Sequence, residues 1–228
     1  MKLSIIIPVY NEQETILQVL KKIEETPYEK EIIIVDDGST DGSCELLSKI
    51  SKEKGYTFIT HPRNRGKGAA LRSGITLAKN DIVIIQDSDL EYDPANYPKL
   101  LQPLFDNQAD VVYGSRFIGS PHRVLLFWHY LANSALTLFS NIFTNLNLTD
   151  METGYKAFRR EIIQPLRLRS NRFGFEPEVT QKISRIKGCR IYEVGISYFG
   201  RDYTEGKKIT WKDGIAAIYF IIRYWITD

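Results

Sequence analysis

The chain has 228 residues, 43% of them apolar and 25% charged, and a formal net charge of +2. That length suits one domain with a substantial core, and the near-neutral balance without a recognisable binding module argues against nucleic acid as a partner. Cys44 and Cys189 are too few and too distant to suggest a disulfide framework or a zinc site, which fits a reducing, cytoplasmic setting. The apolar start is broken by Pro8 and has no small-residue cleavage site, so it does not read as a signal peptide. No run of 18 apolar residues exists, so no spanning helix is expected.

In chain order, the first predicted strand covers 3–9 and runs into Pro8-Val9-Tyr10-Asn11-Glu12. A helix is expected from about 12, with Asn11 and Glu14 spaced as a capping box. The second strand, 31–36, ends in Asp36-Asp37-Gly38-Ser39, and the helix after it, from about 41, should stop at Gly55. A third strand is expected at 57–61. The basic, glycine-rich Arg63-Asn64-Arg65-Gly66-Lys67-Gly68 then opens a helix whose N–H groups and Lys67 can face an anion. It lacks Walker A spacing, and no GxGxxG follows a strand, which counts against a nucleotide triphosphatase and a dinucleotide dehydrogenase.

The fourth strand, 81–87, carries Ile82-Val83-Ile84-Ile85 and delivers Asp87-Ser88-Asp89-Leu90-Glu91 at its end. If that chain stays extended, Asp87, Asp89 and Glu91 share one side and could hold Mg²⁺ or Mn²⁺. A helix from about 95 and a strand at 109–113 lead to Tyr113-Gly114-Ser115-Arg116. Strands alternating with helices predict an α/β fold with a mostly parallel sheet covered on both faces.

After Arg116 the alternation ends. The pattern predicts a helix within 124–143, a loop at 149–154, a strand at 155–159, a helix near 177–187, a strand near 190–199 and a polar loop at 200–208. The segment 211–228 reads as a helix apolar nearly all round. It is expected to pack on the protein, on a partner subunit of a homo-oligomer, or in a membrane interface with its Trp and Tyr rings at headgroup depth. Charge is uneven: residues 1–158 hold 16 basic and 20 acidic side chains, whereas 159–208 hold 12 basic and 6 acidic.

The motifs at 8–12, 36–39, 63–68, 87–91, 113–116 and 149–155 (Thr149-Asp150-Met151-Glu152-Thr153-Gly154-Tyr155), in that order, resemble the family 2 glycosyltransferases of GT-A fold, in their dolichyl- or polyprenyl-phosphate mannosyltransferase branch. The likeness runs from about residue 3 to Lys208. It implies a domain over 1–210, with a nucleotide-sugar half at 1–115, an acceptor half at 116–210, and 211–228 as an added helix. It also implies an inverting, metal-dependent transfer of a hexose from a GDP- or UDP-sugar to a polyprenyl phosphate, by a protein peripheral on the cytosolic face of a membrane.

By the same resemblance Asp87, Asp89 and Glu91 stand at the metal, although Gln is common at the third position in that branch. Pro8, Tyr10, Glu12, Asp37, Lys67, Asp87 and Ser88 stand at the donor, and Arg116, Arg201 and Lys208 at the acceptor phosphate. Asp89, Arg116, Asp150 and Arg201 are the candidates for catalysis. A lipid phosphate is already ionised and needs no base, whereas a hydroxyl acceptor would require one, and Asp150 is then the candidate. A nucleotide-sugar-binding subunit without activity is the rival from another class.

Overall fold

The computed structural model describes residues 1–119, 123–124, 127–200 and 211–227. Seven strands form one sheet in the order β3-β2-β1-β4-β6-β5-β7. β1 (Leu3–Val9) lies parallel between β2 (Lys30–Asp36) and β4 (Ile82–Ile85), and β3 (Thr57–Thr60) is the parallel edge beyond β2. β6 (Lys156–Arg159) is antiparallel to β4 and to β5 (Val111–Ser115), which pairs in parallel with β7 (Ile191–Gly195). The second half of the chain thus places a strand inside the sheet, and the two halves share one core.

Period-2 alternation divides the apolar side chains between two layers. Ile5, Ile7, Ile32, Ile34, Ile82 and Ile84 face a core closed by α1 (Ile16–Glu24), α2 (Ser43–Lys54) and α4 (Tyr97–Phe105). Ile6, Ile33, Val35, Val83 and Ile85 face the opposite core, closed by α3 (Lys67–Leu77), α6 (Arg160–Ile163) and α7 (Phe175–Ser184). β1 is buried along its whole length, as a central strand covered on both faces must be.

One of two predicted helix boundaries shifts. The capping box at Asn11 does not form: Asn11 is left-handed (φ 53°), its Oδ1 accepts from Thr40 N at 2.8 Å, and α1 starts only at Ile16. Gly55 does end α2, at φ 73°, with its N–H on Ser51 O.

α5 (Phe127–Thr144) and α8 (Trp211–Thr227) pack together over α7. α8 buries Ala217, Ile221 and Tyr224, and Tyr224 Oη meets Ser170 Oγ at 2.8 Å. Its other face leaves Ile218, Tyr219, Ile222 and Trp225 exposed. Among the described residues no helix is long and apolar enough to cross a membrane.

Candidate active site

Because β1, β2 and β4 run side by side in the same direction, their C-terminal ends form one rim, the usual ligand side of such a sheet. Pro8, Tyr10, Glu12, Asp37, Asp87, Ser88, Asp89 and Glu91 all line the same cleft, whose volume is about 1720 Å³. Thr15 ties two strand ends together: its single hydroxyl proton is shared between Glu12 Oε2 at 2.9 Å and Ser88 O at 3.0 Å. Tyr10, 38% exposed, presents its ring at the mouth.

Asp37 is almost fully buried and holds the glycine-rich loop. Its carboxylate accepts from Arg65 N at 3.0 Å and Gly66 N at 2.6 Å, and meets His61 Nδ1 at 2.6 Å. His61 Nε2 in turn reaches Ser73 Oγ on α3 at 3.0 Å. Gly66 (φ 98°) and Gly68 let the loop pass against the backbone of 170–172, where a side chain would collide. The result places Lys67, the first residue of α3, inside the cleft.

Lys67 Nζ sits 2.8 Å from Asp87 Oδ1 and 3.4 Å from Glu176 Oε1. Burial alone would lower its pKa, but Asp87 and Glu176 outweigh that and hold the ammonium charged. Glu152 also lines the cleft, and burial, reinforced by Glu176, pushes its carboxyl up to about 8.

The three carboxylates expected to share a metal do not converge. The i, i+2 argument needs extended chain, but β4 stops at Ile85 and 88–91 forms a bend. Asp87 faces Lys67, Asp89 Oδ1 accepts from Glu91 N at 3.1 Å, and Glu91 Oε2 accepts from Tyr198 Oη at 3.0 Å. Among the described residues no group of three His, Cys, Asp or Glu side chains is gathered as a metal cage. Hard oxygen donors on a ligand-binding rim still suit a cation held by one or two carboxylates together with a substrate's phosphates.

Arg116, at the end of β5, is held from three elements. Its Nε and Nη2 each donate to Asp150 at 2.7 Å, its own N–H donates to Asp150 Oδ2 at 3.1 Å, and Nη2 reaches Asn133 Oδ1 of α5 at 3.1 Å. The Glu193 carboxylate of β7 fixes the Asp150 turn by accepting from Thr149 N and Asp150 N at 2.9 Å. The guanidinium also lies over the rings of Phe117 and Tyr198, at 5.6 and 5.3 Å. Asp150 is wholly buried, whereas Arg116 opens onto the cleft. Arg201 and Lys208 lie outside the described residues.

The far wall of the cleft is apolar: Phe127, Trp128, Leu136 and Phe139 from α5, with Ile215 and Ile218 from α8. The sequence reading missed Glu152, Glu176, Tyr198, Asn133, His61 and Glu193 as parts of the site. Glu176 had a usable signal, since it lies four residues before Thr180 and seven before Ile183, on the buried side of α7. A helix start at 177 left it out.

Residues 4–167 match glycosyl transferase family 2. An undecaprenyl-phosphate mannosyltransferase of Micrococcus luteus is 30% identical over 217 residues, covering 91% of this chain and 87% of that protein. A dolichol-phosphate mannosyltransferase of Pyrococcus furiosus is 27% identical over 92% of this chain, which spans 61% of that protein's length. Among solved structures, glucosyl-3-phosphoglycerate synthase of Mycobacterium tuberculosis, crystallised with Mn²⁺, uridine diphosphate and phosphoglyceric acid, superposes with a TM-score of 0.76 at 22% identity. That match covers 100% of this chain and 79% of the other. The ordered motifs, the GT-A-like sheet and these matches agree: the chain is a glycosyltransferase belonging to family 2, in a branch similar to the polyprenyl-phosphate mannosyltransferases.

Proposed function

We propose that this enzyme moves a hexose from a GDP- or UDP-sugar to a polyprenyl phosphate at a membrane surface, with inversion at the anomeric carbon. The observation that carries the reading is the make-up of one cleft, lined by carboxylates and Lys67, by Arg116, and by the aromatic face of α5 with the aliphatic face of α8. A nucleotide sugar, a phosphate and a lipid tail need those three surfaces together. The named activities of the Micrococcus and Pyrococcus relatives support the acceptor class.

In this reading Tyr10 and the Asp37 loop border the nucleoside, and Lys67 offers its charge to the diphosphate. Asp87 and Asp89 would hold a divalent cation with that diphosphate, and such a cation supplies charge neutralisation for the leaving group. Arg116 orients the acceptor phosphate, joined by Arg201 and Lys208. An oxygen of that phosphate attacks the anomeric carbon as the bond to the donor diphosphate breaks, and the nucleoside diphosphate departs with the electron pair. No proton has to be removed from the nucleophile. Asp150 acts through Arg116, since both its oxygens accept hydrogen bonds from that guanidinium.

The test is the linkage formed. Enzyme, radiolabelled nucleotide sugar and polyprenyl phosphate are incubated, and the extracted lipid is treated with mild acid. A sugar phosphodiester releases its label readily. Label that stays attached as an ordinary glycoside would move the acceptor to a hydroxyl and make Asp150 the base.

A further inference from the structure

Several buried side-chain oxygens and nitrogens have no hydrogen-bond partner among the described residues, on Asp36, Ser51, Ser140, Arg160, Gln181, Glu152 and Glu176. Of these residues, only Glu152 and Glu176 line the cleft. A buried carboxyl oxygen left without a partner costs the protein stability, so its retention at a ligand site points to a ligand that supplies the missing bond.

The two glutamates differ from their satisfied neighbours. Glu178, two residues beyond Glu176 on α7, accepts from Arg169 N and Ser170 N at 2.7 Å each and pairs with Lys182 at 2.9 Å. Glu176, 4% exposed, gives Oε1 to Lys67 and leaves Oε2 unpaired among the described residues. Lys156 acts on Glu152 by charge alone: among the described residues its Nζ donates to the carbonyls of Met151 and Thr153 and makes no hydrogen bond to Glu152 Oε1. Gly154 brings the Glu152 turn onto the donor rim, since a methyl group added there would run into Asp87 and stand 3.1 Å from Lys67 Nζ. Glu176 therefore stands beside Lys67, and the turn that carries Glu152, itself close to Glu176, stands beside the Asp87–Lys67 pair on the donor side of the cleft.

We infer that Glu152 and Glu176 form a hydroxyl-recognition subsite for the sugar of the donor, selecting a neutral hexose. Glu152, kept protonated by burial next to Glu176, donates to one sugar oxygen. Glu176 Oε2 accepts from a neighbouring hydroxyl. A sugar carrying a carboxylate is disfavoured against this wall. The inference rests on the donor class proposed above and adds the residues that read its sugar.

The test compares dissociation constants for UDP-glucose and GDP-mannose with those for UDP and GDP, because the free nucleotides share everything except the sugar. For Glu152→Ala and Glu176→Ala the ratio of sugar-nucleotide to nucleotide dissociation constant should rise on the order of tenfold or more, as expected for losing a hydrogen bond to a buried polar group. Glu152→Gln, which keeps a neutral donor and acceptor, should retain the wild-type ratio. In the wild-type protein, donors deoxygenated at single sugar positions should show the same loss at one position or more, which tests the subsite without any variant. An unchanged ratio in both alanine variants, a Glu152→Gln as impaired as Glu152→Ala, or indifference to every deoxy donor would each overturn the subsite while nucleotide-sugar binding stands. Failure of the wild-type protein to bind any nucleotide sugar would overturn the proposed donor class and the subsite with it.

Discussion

Replacing Asp150 by Ala leaves Arg116 without the carboxylate that accepts three of its N–H groups, two from the guanidinium at 2.7 Å and one from the backbone at 3.1 Å. Asp150 is wholly buried and the Arg116 side chain is 14% exposed, so solvent replaces little of what is lost. Removing one partner of such a pair costs about 3–5 kcal/mol, and for a chain of this size each kcal/mol is worth about 2–4 °C. Asp150→Ala should therefore lower Tm by about 6–20 °C, measured by circular dichroism. Arg116→Ala should cost at least as much, because among the described residues the buried carboxylate then keeps only Asn133 as a side-chain partner. The double variant should be far more stable than the sum of the two losses predicts, since neither charge is left unpaired. Additive losses would refute the claim that these residues act as one unit.

The pH dependence of the same pair has a definite sign. Burial pushes the Asp150 carboxyl up, but Arg116 more than offsets this and holds it below its ordinary value. A carboxyl depressed in the folded state stabilises fully above its unfolded pKa, about 4, and loses that contribution as pH falls through the folded value. The stability gap between wild type and Asp150→Ala should be constant from pH 8 to pH 5 and close only in acid. A gap that closed between pH 6 and pH 8 would contradict the pairing.

Gly154→Ala should abolish nucleotide-sugar binding in a titration while the fold persists, because the added methyl displaces the Asp87 and Lys67 side chains at the rim; normal binding would show that the rim tolerates the shift. Asp89→Ala should eliminate transfer and the metal dependence of donor binding with little change in Tm, since a rim carboxylate adds little to the core. Normal turnover in that variant would remove Asp89 from the site. Replacing the exposed Trp128 of α5 and Trp225 of α8 by Ser should reduce co-sedimentation with anionic liposomes and leave nucleotide affinity unchanged. Unaltered co-sedimentation would assign this apolar face to a protein partner.

Local patterns made the strands legible. Ile5-Ile6-Ile7, Ile32-Ile33-Ile34-Val35 and Ile82-Val83-Ile84-Ile85 are continuous apolar runs, and a strand covered by helices on both faces requires that composition. The order of the sheet was not legible in the same way. That β6 enters antiparallel between β4 and β5 depends on pairings such as Ile84 with Ala157, made across more than seventy residues, and nothing in either strand's own sequence encodes its neighbour. The motif positions fall together along one cleft, but spacing could not give side-chain direction once the chain left β4. Asp87 and Glu91 consequently meet Lys67 and Tyr198 instead of each other.

Glu176 and Glu178 show why the rest of the site needed the structure. In sequence they are two acidic residues of one Phe-Glu-Pro-Glu-Val turn, and both would serve the positive end of a helix. In space Glu178 turns toward the 169–170 backbone and Lys182, where every demand of a buried carboxylate is met. Glu176 turns toward Lys67 and the cleft, where one oxygen is met by the protein and the other has no partner among the described residues. The difference is one of about 100° per residue around the helix axis, so two positions apart already face different surroundings. Burial cost is similar for the two carboxylates. What separates a structural glutamate from a ligand-reading one is the unmet hydrogen bond, and that becomes visible only when the opposing strand, turn and helix are all in place.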